Sequence, residues 1–216
     1  MAWVSLKTKN LPTLALVMIA QVVVAYGLSN PDFNWASLNL FSPDTVIVTL
    51  IIVLAGLFSS LLPASVKHQL VFLRLNNVLP GHRFLQLAAH DPRIDLLALQ
   101  HRVMPLMPLN AEAHVQNRVW YQYIYQPLQQ APLVKDSHKA FLLWRDSMVV
   151  SLVIAVMLAL GFAALPLVAA AFSPYSLLVS LLFAMSSALA AHHHGKRMVT
   201  NAVVTWLMQP RSNQKY

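Results

Sequence analysis

Four stretches of the chain, Leu11–Leu28, Thr45–Leu62, Ser147–Leu167 and Tyr175–Ala191, contain no Asp, Glu, Lys, Arg or His. Wound as helices at about 1.5 Å per residue, each is roughly 25–32 Å long, which matches the hydrocarbon core of a bilayer. Lipid offers no water to satisfy backbone N–H and C=O groups, so a crossing segment must be a helix or part of a closed barrel. The runs are continuously apolar rather than alternating, which selects helix. Charged residues make up 10% of the chain and hydrophobic residues 57%, far from the balance of a soluble domain. The expected fold is an all-α membrane protein with four transmembrane helices, arranged as two hairpins that flank a small helical cytoplasmic domain.

The polar interludes set the expected boundaries: an N-terminal hairpin over 1–63, a helical domain over 64–146, a second hairpin over 147–194 and a basic amphipathic tail over 195–216. The first run is long for a secretory signal, and no small-residue cleavage site follows it, so it reads as retained. Between the first two runs, Ser29–Asp44 supplies turn formers, Phe33, Trp35 and two acids, but no Lys or Arg. All fifteen basic residues fall in segments that four crossings place on one side: Lys7 and Lys9, those from Lys67 to Arg145, and Lys196, Arg197, Arg211 and Lys215. By the positive-inside rule both termini and the middle domain face the cytoplasm. Cysteine is absent, which removes disulfides, thiolate metal sites and a Cys nucleophile.

With no ionisable group inside the runs, a proton-coupled carrier or an intramembrane protease lacks its working residues. The fourth run places Ser176, Ser180, Ala184 and Ala188 four residues apart, with Ser187 and Ala191 beside them. Small residues repeated this way let helix backbones approach closely in lipid. The seam serves either packing within one subunit or the interface of a homo-oligomer.

In the middle domain, breaks at Leu79-Pro80-Gly81, Asp91-Pro92, Met104-Pro105 to Pro108, and Pro127 to Pro132 leave short helical pieces. Helical spacing marks Ser65–Asn76, Pro92–Val103 and Ala111–Gln126. From Leu133 to Leu160 there is no Pro or Gly, so one helix is expected to run from the polar domain into the third span. Asn76 to Phe84 with its LPG turn, Asp91-Pro92-Arg93-Ile94-Asp95, Gln116-Asn117 with Trp120-Tyr121 and Tyr125, and Arg145-Asp146 together resemble an uncharacterised family of small bacterial four-span membrane proteins. The resemblance implies a bacterial inner-membrane location and carries no activity. The general plan, a few spans with a small cytoplasmic domain, also looks like that of membrane effectors of bacterial antiviral systems.

Asp91 and Asp95 offer a carboxylate pair, but Asp91 as a cap ahead of Pro92, with Asp95 on the helix dipole, is the simpler reading. Consecutive His192, His193 and His194 diverge by about 100° per residue on a helix and do not converge on a metal. With Lys196 and Arg197 they read as a membrane-interface cluster drawn to lipid phosphates. Trp206 is expected to anchor an interfacial helix whose apolar face is Met198, Val199, Ala202, Val203, Trp206 and Leu207, with packing against the middle domain as the alternative. Arg74, Arg83, Arg93, Arg102 and Arg118, with Trp120, Tyr121 and Tyr125, supply the cations and stacking faces that a ligand or partner would use. The domain's nine basic against five acidic residues, a net of +4, suit an anionic leaflet equally well. No phosphate-binding glycine loop supports a nucleotide or RNA ligand, and no cofactor is expected. The reading is a non-enzymatic membrane protein whose helical domain docks a partner or ligand and couples it to the spans, the expected partners being the bilayer, further copies of itself and a cytoplasmic protein. A nucleotide-gated, oligomeric, channel-like effector is the alternative, and a membrane-anchored enzyme follows it.

Overall fold

A computed structural model describes residues 6–32 and 42–210. Phe33, Trp35, Arg211, Lys215 and the side chains of Lys7 and Asp44 lie outside the described residues. Among the described residues all regular structure is helical. Three helices are long and apolar enough to cross a membrane, and up to four if one bent pair counts as a single span. The chain forms two compact units, Met1–Lys67 with Leu142–Ala190, and His68–Phe141 with Ala191–Tyr216.

The first unit contains α1 (Leu6–Ser29), α2 (Pro43–Leu61), the opening turn of α3 (Ala64–Phe72), most of α8 (Pro132–Ala164), α9 (Pro166–Ala171) and the first half of α10 (Tyr175–Met208). Helix α2 begins where the Ser42 hydroxyl accepts a hydrogen bond from the Thr45 N–H at 3.3 Å, with Pro43 in the first turn. It ends at Leu62-Pro63, and the chain turns through 100° into α3. The third apolar run was expected to stay helical to Leu167, but α8 stops at Ala164. Pro166 forces the preceding Leu165 into extended backbone (φ −125°, ψ 102°), and α9 restarts on that proline.

The core of this unit joins Met18, Val22 and Tyr26 of α1, Ile51 and Ala55 of α2, and Ile154 and Leu158 of α8. Polar side chains also pair inside it: the Ser151 hydroxyl donates to Gln21 Oε1 at 2.6 Å, and Asn30 Nδ2 donates to the Ala171 carbonyl at 3.0 Å. Leu16, Leu57, Leu160, Leu182 and Leu189 stand exposed on the outside, the arrangement suited to lipid rather than water.

The second unit contains the end of α3, a tight turn at Pro80–Arg83, α4 (Phe84–Ala89), α5 (Leu96–Val103), α6 (Ala113–Val119), α7 (Gln126–Leu128), the start of α8 and the end of α10. Between α6 and α7 the helix widens into a π turn over Trp120–Tyr125. Helix α3 was expected to reach Asn76 but ends at Phe72, where Leu73 adopts a left-handed φ of 49°. Helix α5 was expected from Pro92 with Asp91 as its cap. It starts instead at Leu96, capped by Asp95, whose carboxylate accepts from the N–H groups of Leu97 (2.9 Å) and Ala98 (3.2 Å). Asp91 grips Arg93 in a bidentate pair at 2.9 and 2.7 Å, and that partner holds its carboxyl down at about 2.

The apolar face of the tail belongs to this core. Val199, Ala202, Val203 and Trp206 pack in one cluster with Phe84, Leu99, Val103, Trp120 and Ile124. Trp206 is 2% exposed, so the expected interfacial anchor is a core residue. Its neighbours in the cluster supply enough apolar surface to bury it within the chain, which realises the alternative of packing against the middle domain. Gly195 permits the close approach that this arrangement needs, because a Cβ there would meet Phe72 Cζ at 2.8 Å.

Candidate functional site

Ser176 and Ser180 are fully buried, and Ala184, Ser187 and Ala191 are buried with them, while Ala188 is half-buried. The Ser180 hydroxyl donates back to the Ser176 carbonyl at 3.0 Å. The seam is packed within the single chain, one of the two uses its spacing allows. Small side chains let neighbouring backbone come close enough to cover them.

A polar centre that local sequence patterns do not reveal lies in the first unit. Asp146 Oδ1 accepts from Lys67 Nζ at 3.2 Å and from Arg145 Nε and Nη2 at 3.1 and 2.9 Å. Lys67 also reaches the Ser59 hydroxyl at 3.4 Å. All three charged side chains are buried. The signal available in the sequence was opposite charges just beyond the ends of two apolar runs, at positions 79 residues apart.

The five arginines proposed for ligand binding divide by their partners. Arg93 is held by Asp91 and also donates to Thr200 at 3.3 Å. Arg102 donates to the carbonyls of Trp206 and Gln209, both at 2.6 Å, and lies 5.5 Å from the Trp206 ring centroid. It thereby closes the carbonyl end of α10, where a cation and its N–H donors are both favourable. These two arginines serve the fold. Arg118 is exposed on α6.

The aromatic group divides likewise. A π turn brings residues five apart nearly over one another, and Trp120 stacks on Tyr125 with centroids 5.2 Å apart. Both are buried, which removes them as platforms for a base, whereas Tyr121 is 50% exposed. Tyr125 Oη and His138 Nδ1 share a hydrogen bond of 2.8 Å. Burial, then the neighbouring Tyr121, pushes the Tyr125 hydroxyl from 10.0 up to about 12. The folded state thus keeps this proton after the unfolded chain has lost it. Stability is expected to be complete below pH 10 and to fall as pH rises through about 12. Tyr125→Phe should flatten that alkaline limb and cost about 1 kcal/mol at neutral pH, read by thermal unfolding of the full chain in detergent.

The charges of Arg74 and Arg83 bear on His192, in the histidine and lysine group of α10. The Phe72 and His192 rings are 5.4 Å apart, which sets the end of α3 against α10, and Lys196 lies one turn beyond His192 on the same face. His192 follows the apolar stretch Tyr175–Ala191. Burial first, then Lys196, with Arg83 and Arg74 adding, favours its neutral ring. Arg83 has its affinity for a proton lowered by burial and then by Arg74. Its Nε and Nη2 are out of contact with solvent and have no hydrogen-bond partner. His193 and Arg197 are exposed, and His194 is half-buried. Among the described residues no group of three or more His, Cys, Asp or Glu side chains is arranged to hold a metal ion.

Comparison with protein-family models, curated proteins and solved structures finds no match to this chain.

Proposed function

We propose that the protein is a non-enzymatic, multi-pass membrane protein whose helical second unit receives a protein partner or ligand and passes its effect to the apolar first unit. The observation that carries this reading is the continuity of α8 and α10, each an unbroken helix that contributes residues to both units. A shift along or about such a helix is transmitted because its backbone hydrogen bonds have no break to absorb it. Four crossings as two hairpins, with both termini and the second unit in the cytoplasm, follow from the one-sided Lys and Arg distribution. Placement in a bacterial inner membrane rests on the LPG and DPRID resemblance. The architectural likeness to antiviral effectors supports membrane perturbation as one output, and recruitment of the partner to the bilayer is the other.

The test is photo-crosslinking in the producing cell from an unnatural side chain at exposed Tyr121 or Arg118, combined with ion-flux assays on the purified protein in liposomes. A discrete heteromeric adduct without flux is expected. Flux without an adduct would replace docking with the channel-like alternative, and the absence of both would overturn the reading.

A further inference from the structure

Among the buried polar atoms of the second unit without a hydrogen-bond partner, which include Asn117 Oδ1, Trp120 Nε1 and Asn201 Oδ1, the Nε and Nη2 donors of Arg83 are the charged ones. Removing charged donors from water without giving them acceptors is costly, and native proteins rarely leave such groups orphaned. None of Arg74, Arg83 and Lys196 has a carboxylate partner among the described residues. Of the acids in this unit, Asp91 pairs with Arg93, Asp95 caps the start of α5, Glu112 lies beside His114 at the surface, and Asp136 is exposed on α8. The cluster is therefore cationic and short of acceptors, and what it lacks is an anion with several oxygens.

The adjoining loop adds a second, independent feature. Leu73 and Asn77 hold left-handed φ values of 49° and 50°, a conformation unfavourable for a side-chain-bearing residue such as leucine. Leu73 and Leu75 are 87% and 81% exposed, and they flank Arg74. Two apolar side chains projecting on either side of a cation match the boundary between lipid headgroups and acyl chains, where the leucines lose water and the guanidinium meets phosphate.

We propose that Arg83, Arg74, Lys196 and His192 form a binding site for a phosphate group, with Arg83 Nε and Nη2 as its inner donors. Guanidinium forks bind phosphate oxygens in pairs, which accounts for two adjacent unpartnered nitrogens on one side chain. The exposed leucines favour a phospholipid as the source of that phosphate, and a soluble phosphate would use the same donors. The inference rests on the docking reading in assigning ligand reception to the second unit, but it requires no coupling to the first.

The experiment uses the full chain in non-ionic detergent and follows its melting temperature on titration with short-chain phosphatidylglycerol, short-chain phosphatidylcholine or inorganic phosphate. Ligand that binds the folded state alone raises the transition in proportion to its occupancy. Saturable stabilisation of the parent is expected. Arg83→Gln and Lys196→Gln should each weaken the apparent affinity at least tenfold, while Arg118→Gln leaves it unchanged. Arg83→Gln without ligand should melt at or above the parent's temperature, because it removes an unpaired buried charge, so loss of binding is not confused with loss of fold. A response to phosphatidylglycerol but not to inorganic phosphate identifies a lipid headgroup. A response to inorganic phosphate identifies a soluble phosphate ligand. No response to any probe, or equal responses from the parent and Arg83→Gln, overturns the proposal. Such a failure alongside an intact cross-linked partner would leave the docking reading standing.

Discussion

Asp146→Asn is expected to destabilise the protein by about 3–5 kcal/mol, because it strands two buried cations at once. In the parent, Lys67 and Arg145 converge on the same carboxylate oxygen, at 3.2 and 2.9 Å. Asparagine keeps the size and shape of the side chain but withdraws the negative charge, so packing changes little while the electrostatic balance inverts. The apolar replacement Lys67→Met, Arg145→Met and Asp146→Leu made together should fall close to the parent or above it, since the charges and their desolvation cost leave together. Unfolding of both variants in detergent, followed by circular dichroism, separates these outcomes. If Asp146→Asn melts like the parent, the cluster is hydrated in solution and does not tie the start of α3 to α8.

Trp206→Ala carries the other large expected effect, about 3–5 kcal/mol, as the truncation of a fully buried aromatic in a packed core. It also withdraws the ring beneath the Arg102 guanidinium, a contact worth a further 0.5–1 kcal/mol or about that. Hydrogen exchange should show lost amide protection in peptides covering Phe84–Ala89 and Leu96–Val103, whose side chains share the cluster. Retention of the protein in membrane fractions should be unaffected. The reverse pattern, unchanged protection with release from membranes, would restore Trp206 as an interfacial anchor.

What the sequence disclosed and what it withheld divide along the range of the interactions. The apolar runs, the short helices of the second unit and the long uninterrupted α8 are legible because hydropathy, proline and capping act over a few residues. The end of α8 at Ala164 was legible too, in Pro166, but the apolar run continued past it and hydropathy alone hides the break. Arg102 and Trp206 illustrate the opposite case. Each follows a pattern that suits exposure, a cation beside aromatics and a tryptophan on an amphipathic helix, and their pairing over a separation of 104 residues is written in no local period. Lys67 was read as a marker of membrane orientation and Asp146 only as part of a family resemblance, and nothing near either residue states that the two meet. The seam from Ser176 to Ala191 was visible as a close-packing surface, yet its spacing is the same whether the covering backbone comes from its own chain or from another.

The cluster that unites Phe84, Leu99 and Ile124 with Val199, Ala202 and Trp206 also fixes an order of events at the ribosome. When Phe141 has been made, the second unit still lacks one wall, and the missing side chains lie roughly sixty residues further along, beyond two apolar stretches that must first enter the membrane. At about 5–20 residues per second, this interval lasts on the order of 3–12 s. Throughout it, the apolar faces of α4 and α5 have no α10 to cover them, so the nascent second unit depends on the later synthesis of α10 for its completion. A delay in the synthesis or insertion of the apolar stretches would therefore surface as aggregation or proteolysis of α4 and α5.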